Sequence, residues 1–90
     1  MMRYQTLQAG KELDLLVAKN VMKWKDVEED NVPDFSTDIA YAWRIAEDLL
    51  TKGSLYKEAS EWCIKIGDQV YRGKTAPLVI CIAALIETSK

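Results

Sequence analysis

The fold of this chain is decided by its C-terminal third, EWCIKIGDQVYRGKTAPLVICIAALIET, residues 61–88. Apolar and polar residues alternate through 61–73 on both sides of the Gly-Asp pair at 67–68, which predicts a hairpin with a two-residue turn. That turn sets Ile64 opposite Tyr71. Cross-strand partners share a face, so one face of the hairpin carries four apolar side chains: Trp62, Ile64, Ile66 and Tyr71.

The second half of this stretch predicts a helix over 75–88. Thr75 is a suitable N-cap, and Pro77 is tolerated in a first turn. Residues 76–86 carry no charge. A membrane span needs about 18 or more such residues, so a run of this length indicates a buried helix. A small sheet covers one side of a helix, so another helix or another subunit must cover the rest.

Outward from this core, the periodicity predicts two more helices and further extended segments. Leu13, Leu16, Val17 and Val21 recur at helical spacing within a helix over 7–22. Residues 23–27 change period around Trp24 and predict a short strand. Residues 55–58 add an irregular strand, and the acidic stretch 26–38 reads as a solvated loop.

A third helix is predicted over 37–52. Ser36 is expected to cap its first free amide groups, and Asp38 in the first turn complements the helix dipole. Both residues are therefore interpreted as structural, not as a catalytic pair. Phe35 is expected to fold back as an apolar anchor. The expected buried stripe consists of Ile39, Ala42, Trp43, Ala46, Leu49 and Leu50.

These elements predict an α+β fold in one domain over residues 1–90. The expected architecture is an αβα sandwich, with a small antiparallel sheet packed with three helices in the order α-β-α-β-β-α. At 10.2 kDa and 49% hydrophobic residues, the chain can bury a core of its own but not two.

Composition argues against several classes of function. Twelve basic and fourteen acidic residues give a net charge of −2, with no basic stripe of the kind that nucleic-acid binding requires. The absence of histidine removes the commonest general base and zinc ligand. The first residues lack the apolar core of a secretory signal. We therefore expect no nucleic-acid or membrane partner, and a reducing cytoplasm in which Cys63 and Cys81 are free, buried thiols.

The acidic loop matches the pattern of a calcium-binding loop only in part. Asp26, Glu28 and Asp30 match the first offsets of an EF-hand loop, but Asn31 and Thr37 stand where glycine and a bidentate glutamate are needed. A solvated loop is the favoured interpretation, and a weak divalent site is the alternative. No phosphate-binding glycine motif is present, and scattered carboxylates alone do not specify catalysis. We expect no metal, no cofactor and no enzymatic activity.

The aromatic residues allow two interpretations. Each tryptophan lies on the apolar side of its own pattern, so core packing is the first. A partly open cleft for a ligand or partner, between helix 37–52 and the sheet, is the second. With the two helix starts, where an anion could bind, that cleft has six candidate residues: Trp24, Ser36, Asp38, Trp43, Trp62 and Thr75.

Several segments together resemble the phage ABA-sandwich domain family of small phage and prophage proteins. They are residues 13–18, 21–24, 33–39, 42–43, 62, 75–81 and 83–85. The resemblance implies an αβα sandwich encoded by a bacteriophage or prophage. It implies no known activity and offers no catalytic residues to transfer. The family often has glycine after the methionine of the first helix, where this chain has Lys23.

Two functions from different classes remain open. The first is a phage accessory protein that binds a host or phage protein, or itself, in the host cytoplasm. The apolar helix 75–88 motivates it. The alternative is a small-ligand binder, such as a sponge for a nucleotide signal in counter-defence.

Overall fold

The computed structural model describes residues 8–89, and three helices and three strands account for most of them. In chain order they are α1 (Lys11–Asn20), α2 (Ile39–Leu49), β1 (Gly53–Glu58), β2 (Glu61–Ile66), β3 (Gln69–Gly73) and α3 (Ala76–Thr88). The fold class is confirmed, since three helices pack with one antiparallel sheet. The first strand follows α2, however, at the position where an irregular strand was predicted. Residue 7, the predicted start of the first helix, lies outside the described residues.

The sheet has the order β1-β2-β3, and its hairpin register is the one that the sequence predicts. Ile64 pairs with Tyr71, and Ile66 pairs with Gln69 across the turn. Gly67 makes that turn with a φ of 60°, in the left-handed region that glycine enters without steric cost. The four predicted apolar residues of the hairpin therefore share one face.

Helix α3 lies at the centre of the molecule. It packs against β2 and β3 on one side and against α1 and α2 on others. Seven consecutive residues, 79–85, are buried, as a helix that is apolar all round requires. The Thr75 side chain caps it by accepting the Leu78 N–H at 3.3 Å, as predicted. The chain therefore covers α3 with its own helices, and no second subunit is needed for that purpose.

The predicted strand at 23–27 is wrong, because this segment ends α1 and begins a loop. The N–H groups of Met22 and Trp24 donate back to Val17 and Ala18 carbonyls. Lys23 has a φ of 62° and Asp26 a φ of 55°, and left-handed residues interrupt an extended strand. The single apolar residue between two lysines imitated strand alternation. Lys23 thus takes the conformation for which glycine is best suited.

The predicted stripe of α2 is rotated relative to the buried one. The helix buries Ala42, Ile45, Ala46 and Leu49, largely against α3. Ile45 was not in the predicted stripe, whereas Ile39 and Trp43 were and are exposed. The buried side of α2 thus combines two alanines with Ile45 and Leu49, and Ile39 and Trp43 lie beside it, facing solvent.

Candidate functional site

Ser36 is part of a buried hydrogen-bonded network and does not cap α2. Its N–H and its hydroxyl both donate to the Asp14 carboxylate, at 2.8 and 2.6 Å. The hydroxyl in turn accepts the Gly10 N–H at 2.9 Å. Both side chains are buried, so the network ties the start of α1 to the segment before α2. The predicted capping role of Ser36 is therefore wrong, and its polar groups face the protein interior.

Asp38 is the residue that caps α2. Its backbone is extended, and its carboxylate accepts the Ala40 N–H at 2.9 Å. The helix accordingly begins at Ile39 and not within 37–38. The sequence Ser-Thr-Asp offers three possible N-cap residues in a row. Ser36, the first of them, does not cap α2 because it is hydrogen-bonded to Asp14. Like Thr75, Asp38 therefore uses its side chain to cap a helix.

The three tryptophans lie in different surroundings. Trp43 in α2 and Trp24 after α1 are exposed, so the core-packing interpretation is wrong for both. Trp62 in β2 is half-buried against the core, and the Lys57 ammonium lies 5.6 Å from its ring centroid. The cleft predicted between α2 and the sheet stays a prediction, and the two clefts described next lie elsewhere.

Two clefts adjoin α3. The first, about 430 Å³, lies where the ends of α1, α2 and α3 meet and contains none of the six predicted residues. The second, about 470 Å³, lies beside β3 and contains only Thr75 of the six. There the Arg72 guanidinium already donates to the Glu58 carboxylate at 3.0 Å, which raises the pKa of Arg72. Thr75 is likewise engaged in its cap, so both of these polar side chains already have partners within the chain.

Exposed apolar side chains are concentrated on and beside the first half of α2, with Ile39 and Trp43 on one side of the helix and Tyr41 on the other. Within residues 8–89, five large apolar side chains are exposed, and four of them lie here. The exposed fractions are 48% for Ile39, 46% for Trp43, and 40% for both Trp24 and Tyr41. Ala40, also exposed, lies between Ile39 and Tyr41. We call this the α2 apolar surface, and it consists of Trp24, Ile39, Ala40, Tyr41 and Trp43.

A buried ring lies between two of these exposed residues, Trp24 and Tyr41. Phe35 is buried, as its predicted anchoring role requires, and its ring contacts Trp24 and Tyr41 at centroid distances of 5.7 and 6.4 Å. Sequence reasoning identified Trp24 and Trp43 but missed Ile39 and Tyr41 as surface residues. The available signal was the uncharged run 39–43. That run is wider than one buried stripe of a helix.

The thiols and carboxylates of residues 8–89 form no further site. Cys63 and Cys81 are free and buried, as predicted. Burial, together with the nearby Asp14 carboxylate, raises the pKa of the Cys81 thiol, which keeps it protonated and unreactive. Within the described part of the chain, no three side chains of the metal-binding types gather closely enough to hold an ion. The divalent-site alternative for the acidic loop gains no support from this arrangement.

Comparison with known proteins identifies the class. The family model of the phage ABA sandwich domain matches residues 15–85, from the middle of α1 to near the end of α3. The chain belongs to the phage ABA sandwich domain family, as its sequence resemblance suggested. Neither the curated proteins nor the solved structures contain a match to it. None of the helices between residues 8 and 89 is both long and apolar enough to cross a membrane.

Proposed function

We propose that this small phage protein is a non-catalytic interaction module that binds another protein in the host cytoplasm. The observation that carries the proposal is the α2 apolar surface. Exposed apolar residues scattered singly are ordinary, but a group around one half-helix is typical of an interaction site. Tryptophan and tyrosine, which form most of its area, are enriched at the centres of protein interfaces.

The composition of α2 supports a role of its exposed residues in binding and not in the stability of the core. The same helix buries two alanines and exposes a tryptophan and an isoleucine. Stability alone favours the opposite arrangement, since burying a large apolar side chain contributes about 1.5–3 kcal/mol. The outward placement of Ile39 and Trp43 therefore forgoes part of this stabilisation in an isolated chain, and burial against a partner would supply it.

Site-specific photocrosslinking tests the proposal. A benzoylphenylalanine at position 43, and a matched one at exposed Val70 on the sheet, are introduced into the protein expressed in its host. We expect a discrete adduct with a second protein at position 43 and none at position 70. The partner, identified by mass spectrometry and purified, should bind the wild type and lose most of its affinity for Trp43→Ala.

Other results would change the assignment. No adduct at position 43, or equal adducts at both positions, would overturn the proposal. An adduct at twice the chain mass, with a dimer seen by light scattering, would instead assign the surface to self-association. The nucleotide-binding alternative is tested by melting the protein in the presence of nucleotides, where stabilisation would support it.

A further inference from the structure

Resting on the proposed function, we propose that the Trp24 end of the α2 apolar surface receives a basic segment of the partner protein. The occupant is a stretch of polypeptide rich in arginine or lysine. Aromatic rings and charge placed together carry this assignment, since one without the other would fit many partners.

The Trp24 ring is partly exposed and can therefore contact a partner. Its ring contacts buried Phe35, which in turn contacts Tyr41, so a partly exposed ring lies on each side of Phe35. Exposed tryptophan and tyrosine faces attract cations, most often arginine. In the described residues the cation already placed over a ring is Lys57, and it lies over Trp62. Lys23 and Lys25, although adjacent in sequence, are not placed over Trp24.

The segment that contains Trp24 and leads into α2 has a one-sided charge. Residues 23–38 contain two lysines and six acidic residues, a net charge of −4, whereas the rest of the chain has ten basic and eight acidic residues, a net charge of +2. Within residues 8–89, Asp34 is the acidic residue of this segment that forms an ion pair, with Lys11 at 2.6 Å. Five exposed carboxylates are left without an ion pair to another described residue: Asp38, which caps α2, and Asp26, Glu28, Glu29 and Asp30.

Complementarity then selects the occupant. An acidic segment that carries an exposed tryptophan ring favours a partner segment that brings cations and repels one that brings carboxylates or phosphates. A purely apolar helix would use the rings and leave the charges unused. A basic segment uses both, with its guanidinium groups stacked on Trp24 or Tyr41 or paired with the carboxylates of residues 26–30.

The test measures binding of a fluorescein-labelled peptide of alternating arginine and glycine to the whole protein. Fluorescence polarisation is followed in low salt and at physiological salt. We expect binding that weakens with salt, and an affinity about fivefold or more lower for Trp24→Ala. The charge variant Glu28→Gln/Asp30→Asn should also bind more weakly. Its matched control, Glu61→Gln/Asp68→Asn, removes the same charge from the sheet and should bind as the wild type does.

A second measurement does not depend on how the variants fold. In amide and indole NMR spectra of the wild type, the peptide should shift the Trp24 indole and residues 26–30 and leave the β2–β3 hairpin unmoved. Equal loss in the charge variant and its control, shifts spread over the hairpin, or no binding at low salt would overturn the inference. If the peptide fails but position 43 still crosslinks a partner, the inference is wrong and the proposed function stands.

Discussion

The carboxylate of Asp14 in α1 accepts both the backbone N–H and the hydroxyl of Ser36, 22 residues later, inside the core. A buried carboxylate is stable only when its hydrogen bonds are satisfied, and here one residue supplies two of them. The contact fixes the start of α1 against the segment that leads into α2. It thereby positions Phe35 beneath the exposed rings.

Removal of either partner should destabilise the protein through this pair. Asp14→Ala leaves the Ser36 N–H without its acceptor, which costs about 1–3 kcal/mol, whereas the Ser36 hydroxyl can still donate to the Gly10 carbonyl at 3.2 Å. In urea unfolding of wild type, Asp14→Ala, Ser36→Ala and the double variant, we expect a coupling energy of at least about 0.5 kcal/mol. Additive effects of the two substitutions would show that the pair does not act as a unit.

Asp38, and not its neighbours, should matter as the cap of α2. Asp38→Ala removes the acceptor for the Ala40 N–H and should lower the free energy of unfolding by about 0.5–2 kcal/mol. Thr37→Ala, one residue earlier and also exposed, is the matched control and should change it by less than about 0.5 kcal/mol. Thermal melting of both variants decides the assignment, and a larger effect at Thr37 would contradict it.

Truncation of Ile45 should lower the stability of the protein much more than truncation of Trp43, although the two residues are close in α2. Ile45 is buried, so Ile45→Ala should cost about 2–5 kcal/mol through lost packing. Trp43→Ala removes an exposed ring and should change stability much less. Denaturant unfolding compares the two. A cost at Trp43 equal to that at Ile45 would restore the stripe predicted from sequence.

The left-handed backbone at Lys23 should favour glycine. At a φ of 62° a side chain is strained, and relieving that strain is worth about 1 kcal/mol. We expect Lys23→Gly to melt at or above the wild-type temperature. Lys25→Gly, two residues on and without a left-handed φ, should melt lower because glycine gains freedom in the unfolded chain. Equal losses at both positions would contradict this account of the turn.

The raised pKa of the Cys81 thiol should make stability fall in alkali. In the unfolded chain the thiol ionises above about pH 8.5, whereas the folded thiol keeps its proton. The unfolded state then binds fewer protons, so the free energy of unfolding decreases as the pH rises. Between pH 9 and 10 the wild type should lose about 1.4 kcal/mol per pH unit more than Cys81→Ala. Parallel slopes in urea unfolding would contradict the shift.

Sequence patterns predicted the parts of this fold in which neighbours along the chain decide the structure. The hairpin register follows from alternation around Gly67, and the start of α3 follows from Thr75 and Pro77. The turn after α1 was mispredicted as a strand over 23–27 because Lys23 is not a residue that marks a left-handed turn.

The candidate site was predicted less well, because tertiary contacts determine it. The local sequence around Ser36 could not show that its hydroxyl donates to Asp14, which lies in α1. Nor could local pattern show which side of α2 meets α3, because Ile39 and Trp43 lie next to the buried arc on the helix surface. The uncharged run through 39–43 held the useful signal, since a helix that is apolar beyond its buried stripe exposes the remainder.

The central position of α3 has a consequence for how the protein is made. The ribosome synthesises every other described helix and strand before α3, and each of α1, α2, β2 and β3 buries its apolar side against it. A nascent chain that has reached Gly73 therefore contains the segments of two helices and a hairpin but lacks α3, against which they pack. Its emerging segments expose apolar surface of the kind that chaperones bind and that promotes aggregation. Cooperative folding has to wait for residues 76–88, so a chain that stops before them should be degraded rather than accumulate as a smaller domain.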